Sequence, residues 1–144
     1  MRSKRRSEPR SSSEAPRSVV FFLDRSLGKH EVANALRGAG ATVEIHDDHL
    51  PQDARDESWL ALAGRNDWVV LTKDNRIRFR PFEKRSLTEA GVRAFVLTSG
   101  SMTGSEMART WVAALPRMLR MIDASPGPWI AGVSRSAFVR LIER

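Results

Sequence analysis

The chain has 144 residues, a formal net charge of +7 and no cysteine. That length suits one domain with a core large enough to fold alone, and the absence of thiols excludes disulfides and thiolate metal sites. No apolar run approaches the roughly 18 residues of a membrane span. The basic amino terminus lacks the apolar stretch of a secretory signal, so a cytoplasmic address with no membrane partner is expected.

Residues 1–17 hold six Lys or Arg against two Glu, are rich in Ser and Pro, and carry almost no large apolar side chain. Such a segment cannot bury enough surface to order itself and reads as a disordered basic tail. It can hold a polyanion through phosphate contacts or serve only to keep the chain in solution.

From Val19 to Leu23 the run Val-Val-Phe-Phe-Leu reads as a buried strand, and it stops at Asp24. Leu27, Val32, Ala35, Leu36 and Ala39 then recur at helical spacing, with His30 as ordinary surface and Gly38 and Gly40 as the stop. Thr42 to His46 alternates like a peripheral strand, and Asp47 to Asp53 reads as a polar loop. A second helix spans Asp56 to Arg65, burying Trp59, Leu60, Leu62 and Ala63. Trp68 to Thr72 is the third strand, ending in Lys73 and Asp74.

Beyond the basic connection Asn75–Arg80, Pro81 suits the first turn of a third helix that stops at Gly91. Val92 to Leu97 is the fourth strand, followed by Thr98-Ser99-Gly100-Ser101. Thr103 and Glu106 are spaced as a capping box for the longest helix, which Pro116 should kink. Its stripe of Met107, Trp111, Leu115, Met118 and Ile122 reads as core. Pro126-Gly127-Pro128 breaks that helix, Trp129 to Val133 is expected as a fifth, edge strand, and residues 135–144 read as a tail with weak helical character. The alternation predicts an α/β fold in three layers, α/β/α, with a mainly parallel sheet of four to five strands in the order 2-1-3-4 over residues 18–134.

Ligands of such sheets sit outside the carboxyl ends of the strands, where the strand order reverses. Asp24 and Asp74 emerge there, as neighbours about 4.8 Å apart if their strands lie side by side. Converging carboxylates repel unless a hard cation neutralises them, and Mg²⁺ or Mn²⁺ takes oxygen ligands. Each Asp can equally end a strand or cap the next helix, and Asp24 is well placed for a cap.

Asp56 and Glu57 open the second helix, where acids complement the helix dipole; the same turn faces the strand ends, so either can join the acidic set. His46-Asp47-Asp48-His49 has the H-x₂-H spacing of a Zn²⁺ pair but reads better as a solvated loop, with Asp47 and Asp48 as outer members of the acidic cluster. Lys73, Arg76 and Arg78 beside Asp74, with the hydroxyls of Thr72 and Ser99, are candidates to hold a phosphate backbone. No G-x-x-x-x-G-K-[ST] or G-x-G-x-x-G run supports a nucleotide cofactor.

The set Phe21-Phe22-Leu23-Asp24-Arg25-Ser26-Leu27, His46-Asp47-Asp48, Asp56-Glu57-Ser58-Trp59-Leu60 and Val69-Val70-Leu71-Thr72-Lys73-Asp74 resembles the PIN-like domains, nucleases that include the VapC-type toxins of toxin–antitoxin pairs. The resemblance implies a PIN-like fold, Mg²⁺- or Mn²⁺-dependent cleavage of RNA, and Asp24, Asp56 and Asp74 as the catalytic metal-binding set, with Glu57 as a substitute. It also implies an antitoxin partner, and a homodimer is a further expectation. The chain departs from the wider family after the fourth strand, where Thr98-Ser99-Gly100-Ser101 offers no acid. That departure keeps an inactive nucleic-acid-binding or regulatory module open as the alternative. A response-regulator phosphoacceptor domain fits less well, since no Lys follows the fifth strand.

Overall fold

The structure is a computed structural model that describes residues 19–28 and 30–143, together with the backbone but not the side chain of Asp56. The tail expected over residues 1–17 lies outside the described residues.

Six strands form one sheet in the order β2-β1-β3-β4-β5-β6. They are β1 (Val20–Leu23), β2 (Thr42–Ile45), β3 (Val69–Thr72), β4 (Arg93–Leu97), β5 (Trp129–Val133) and β6 (Val139–Glu143). The first five are parallel, and only β6 runs antiparallel, against β5. Successive strand residues point to opposite faces, so Phe21, Leu23, Val69 and Leu71 face one layer while Phe22 and Val70 face the other. The first layer is α1 (Glu31–Gly38) and α5 (Gly104–Ala124), which contribute Val32, Leu36, Trp111 and Met118 to the core. The second is α2 (Asp56–Arg65), α3 (Arg76–Phe79) and α4 (Pro81–Ala90), which contribute Trp59, Leu60, Ile77 and Leu87. The three-layer α/β/α fold is therefore as expected, with six strands rather than four to five.

The expected helix starts are present. Thr103 caps α5 in a reciprocal box with Glu106, and α5 continues through Pro116. Pro81 occupies the first turn of α4. Helices α2 and α4 approach closely at Gly64, where a Cβ would lie 2.3 Å from the Ala90 carbonyl oxygen. Any larger residue there would push the two helices apart.

Two expectations for the carboxyl-terminal part are corrected. Strand β5 is not at the edge: all five of its residues are buried and it pairs on both sides. Residues 139–143 form a strand rather than a helix. The reason is tertiary: β5 leaves a row of backbone groups open, and the returning chain satisfies them. Val139 and Leu141 pack against the α1/α5 core, while Arg140 is exposed.

Candidate functional site

The site lies where β1 and β3 end. Their register pairs Leu23 with Leu71, so the next residue, Asp24, is level with Thr72, and its amide donates to the Leu71 carbonyl at 3.2 Å. Asp74 comes two residues further along. The two carboxylates are thus not simple cross-strand neighbours, and Thr72 stands between them. Its hydroxyl donates to Asp24 Oδ2 at 2.6 Å and accepts from the Asp74 amide at 2.9 Å.

Ser26 completes the arrangement around Asp24. Its amide donates to Asp24 Oδ1 at 2.9 Å, and its hydroxyl donates to the same oxygen. The Ser26 hydroxyl also accepts from the Lys73 amide at 3.0 Å, tying the turn after β1 to the end of β3. The Asp24 carboxylate is thereby the N-cap of the short 3-10 turn Arg25–Leu27 as well as a wall of the cleft. The capping reading holds, and the same carboxylate faces the cleft.

The two acids differ in environment. Asp24 is 5 % exposed. Burial pushes its pKa up to about 6, against the opposing hydrogen bonds of Ser26 and Thr72, and the Asp74 charge adds to the rise. Burial also acts to raise Asp74, but the hydrogen bonds and charge of Arg76 outweigh it and hold that carboxyl below the usual range. Arg76 donates from its amide to Asp74 Oδ1 at 3.0 Å and from Nε to Oδ2 at 2.7 Å, with a further bond from its terminal nitrogen to Oδ2.

Both acids line one cleft of about 570 Å³, together with Glu57, His46, Arg76 and Phe82. Of the other expected site residues, Asp56 opens α2, but its side chain lies outside those described. Asp47 turns to the Arg25 guanidinium (3.7 Å) and the His46 ring (3.3 Å), and Asp48 is exposed; neither lines the cleft. Arg78, Lys73 and Ser99 also stay outside the lining. The two histidines diverge, since His46 is buried at the cleft while His49 pairs with Glu44 at 2.7 Å. The solvated-loop reading of residues 46–49 is corrected in part: residues 46–48 form a 3-10 turn that turns His46 inward.

Sequence reasoning missed Ser26, His46 and Phe82 as parts of the site. The Asp-x-Ser spacing is a recognisable turn signal for Ser26. Nothing local points Phe82 at the cleft.

Among the described residues, no three His, Asp or Glu side chains gather as a metal-binding group. The donors that line the cleft are nevertheless oxygens of the kind a hard divalent cation takes. Asp24 is a buried acid with no cationic partner among the causes of its shift, and a cation would favour its ionised form. The residue types fit such an ion: Asp24 and Asp74 would hold it, and Glu57 lines the same cleft.

Residues 19–99 match the family described as "PIN like domain". A protein of Mycobacterium tuberculosis described as "Putative ribonuclease VapC45" is 30% identical over 126 residues, covering 85% of this chain and 91% of that protein. No solved structure matches the chain. With the family's match extending from β1 to just past β4, over the strands that carry both cleft carboxylates, the chain belongs to the PIN-like domain family.

Proposed function

We propose that the protein is a metal-dependent endoribonuclease, the toxin of a toxin–antitoxin pair, acting on RNA in the cytoplasm. The observation that carries this reading is the pairing of Asp24 and Asp74 in one cleft through the Thr72 hydroxyl. The likeness to a protein described as a ribonuclease supports the reaction class.

Asp24 and Asp74 would hold Mg²⁺ or Mn²⁺, with Asp56 and Glu57 from the first turn of α2. The bound ion would neutralise charge building on the phosphodiester and lower the pKa of the attacking water. Ser26 and Thr72 fix the Asp24 carboxylate, so its oxygens are oriented before substrate arrives. Arg76 offers positive charge to the phosphate backbone at the cleft. For Arg76 to do so it must yield part of its hold on Asp74.

The second reading, an inactive RNA-binding or regulatory module, is favoured by one observation. Strand β4 ends at Leu97 and is followed by Thr98 and Ser99, with no carboxylate. Incubating the protein and its Asp24→Asn variant with structured and unstructured RNA in Mg²⁺, Mn²⁺ or EDTA separates the two. Cleavage that needs metal and is lost in the variant is the expected outcome. Salt-sensitive binding without turnover in either protein would establish the module instead.

A further inference from the structure

Four large apolar side chains are exposed among the described residues, and two of them stand at the corner between α3 and α4. Phe79 is 68% exposed and Phe82 is 53% exposed. The cost of leaving these rings in water invites a reason. Both are set in the most basic stretch of the body. Residues 73–85 carry six Lys or Arg against two acids; Arg78 and Arg80 flank Phe79, while Phe82 stands between Pro81 and Glu83 with Arg80, Lys84 and Arg85 within three residues. The Arg78 guanidinium lies over the Phe79 ring, 4.6 Å from its centre. That cation–π contact holds one side of the ring.

Phe82 has the more telling position. It lines the cleft that holds Asp24 and Asp74, and it also lines a second groove of about 650 Å³ between α2 and α4. Only Phe82 and Glu57 belong to both. The second groove adds Arg65 and Arg85 along its walls, together with Glu89. A strand leaving the cleft into that groove would pass over an exposed aromatic ring, with guanidinium groups beyond it.

We propose that Phe82 is a base-stacking platform between the cleft and the α2–α4 groove, on which the nucleotide next to the one presented to Asp24 and Asp74 stacks. The proposal rests on the ribonuclease reading and adds a residue that positions the RNA. An aromatic ring bordered by cations is the combination that binds single strands, because every base has a π-face and every nucleotide a phosphate. A duplex keeps its bases stacked inside and has none to offer. A protein-docking surface fits less well, since the centres of such interfaces are depleted in charge, whereas these rings stand in a run that holds six Lys or Arg and two acids.

The test is fluorescence anisotropy with EDTA present, so that binding is read apart from cutting. The probes are labelled decaadenylate and a ten-unit abasic ribose-phosphate strand of equal charge. The wild-type protein is expected to prefer decaadenylate by roughly five- to a hundredfold, the range for one base stacked on an aromatic ring. Phe82→Ala should lose that preference and keep its affinity for the abasic strand, while Phe82→Trp should retain both. Equal binding of the two probes by the wild type, an unchanged preference in Phe82→Ala, or no binding of either probe would overturn the platform, and the last would point to a protein partner on this corner. The RNA-cleavage experiment above is a separate arm. Cleavage without base preference would sink the platform alone, and base preference without cleavage would sink the nuclease reading alone.

Discussion

Asp24 and Asp74 leave adjacent strands at the same end of the sheet, yet the protein treats them in opposite ways. Asp24 is buried, held by two hydroxyls and an amide, with no positive charge among its bonded partners. Asp74 is partly open to solvent and gripped by Arg76. Burial without a counter-charge raises the first pKa to about 6, whereas the guanidinium depresses the second. One site thus holds a carboxylate whose negative charge is costly and another whose negative charge is already balanced. A cation entering the cleft would therefore gain most from Asp24 and must compete with Arg76 for Asp74.

The largest effect that would sharpen this contrast is on cleavage. Asp24→Asn and Asp74→Asn should each reduce RNA cleavage by more than about 100-fold, beyond what loss of an outer hydrogen-bonding partner costs. Full activity in either variant, measured on the same RNA in Mg²⁺, would remove that acid from the site.

Thr72→Val comes next, because it keeps the shape and deletes the one hydroxyl that joins the two acids. Cleavage should fall by roughly 10–100-fold. Losing a hydrogen bond to the ionised form should also move the Asp24 pKa further above about 6, which a carboxyl-carbon NMR titration reads directly. A downward movement would contradict the assignment of Thr72 as donor.

Stability should separate the two acids with opposite signs. For metal-free protein, the Asp24 pKa lies above its ordinary value of 3.8, so the folded state binds its proton more tightly than the unfolded state. Its contribution to stability is full below about 3.8 and is lost as pH rises through about 6. Asp24→Asn should therefore be more stable than wild type above pH 7, by ~1–3 kcal/mol at about 1.4 kcal/mol per unit of pKa. That advantage should shrink toward zero near pH 4. Asp74→Asn should instead lose up to ~1 kcal/mol, the usual worth of a partly exposed ion pair. Urea unfolding from pH 4 to pH 8 in EDTA measures both, and a destabilised Asp24→Asn at pH 8 would refute the account of its burial.

The smallest effect lies away from the cleft. Glu106 is held below its ordinary pKa by the Thr103 amide of the capping box, against slight desolvation, with help from the Arg135 charge. A depressed acid contributes stability above its unfolded pKa and loses it as pH falls through the folded one. Wild type should therefore lose stability relative to Glu106→Gln below about pH 4.5, and the gap should narrow in high salt. An identical acid profile for the two proteins would show that the Glu106 charge adds nothing to the box.

The layered α/β fold, the parallel order of the first four strands and the arrival of Asp24 and Asp74 at one end of the sheet are all legible in the order of residues. Short β-branched runs alternating with helical periodicity are local signals, and a parallel sheet follows from them almost without choice. The same local reading located the capping box at Thr103 and the turn at Pro81. Tertiary structure alone decided the rest. Strand register set Thr72 opposite Asp24, and no residue's type announces its partner 48 positions away. The open side of β5 drew residues 139–143 into a strand despite weak helical spacing, since an unpaired row of backbone groups outweighs a propensity. The fold of α3 onto α4 brought Phe82 to the cleft and left Arg78 outside it, although both lie in one basic run. Which side chain a loop turns inward is fixed by packing between elements distant in the chain, and a pattern confined to neighbours in sequence carries no record of that packing.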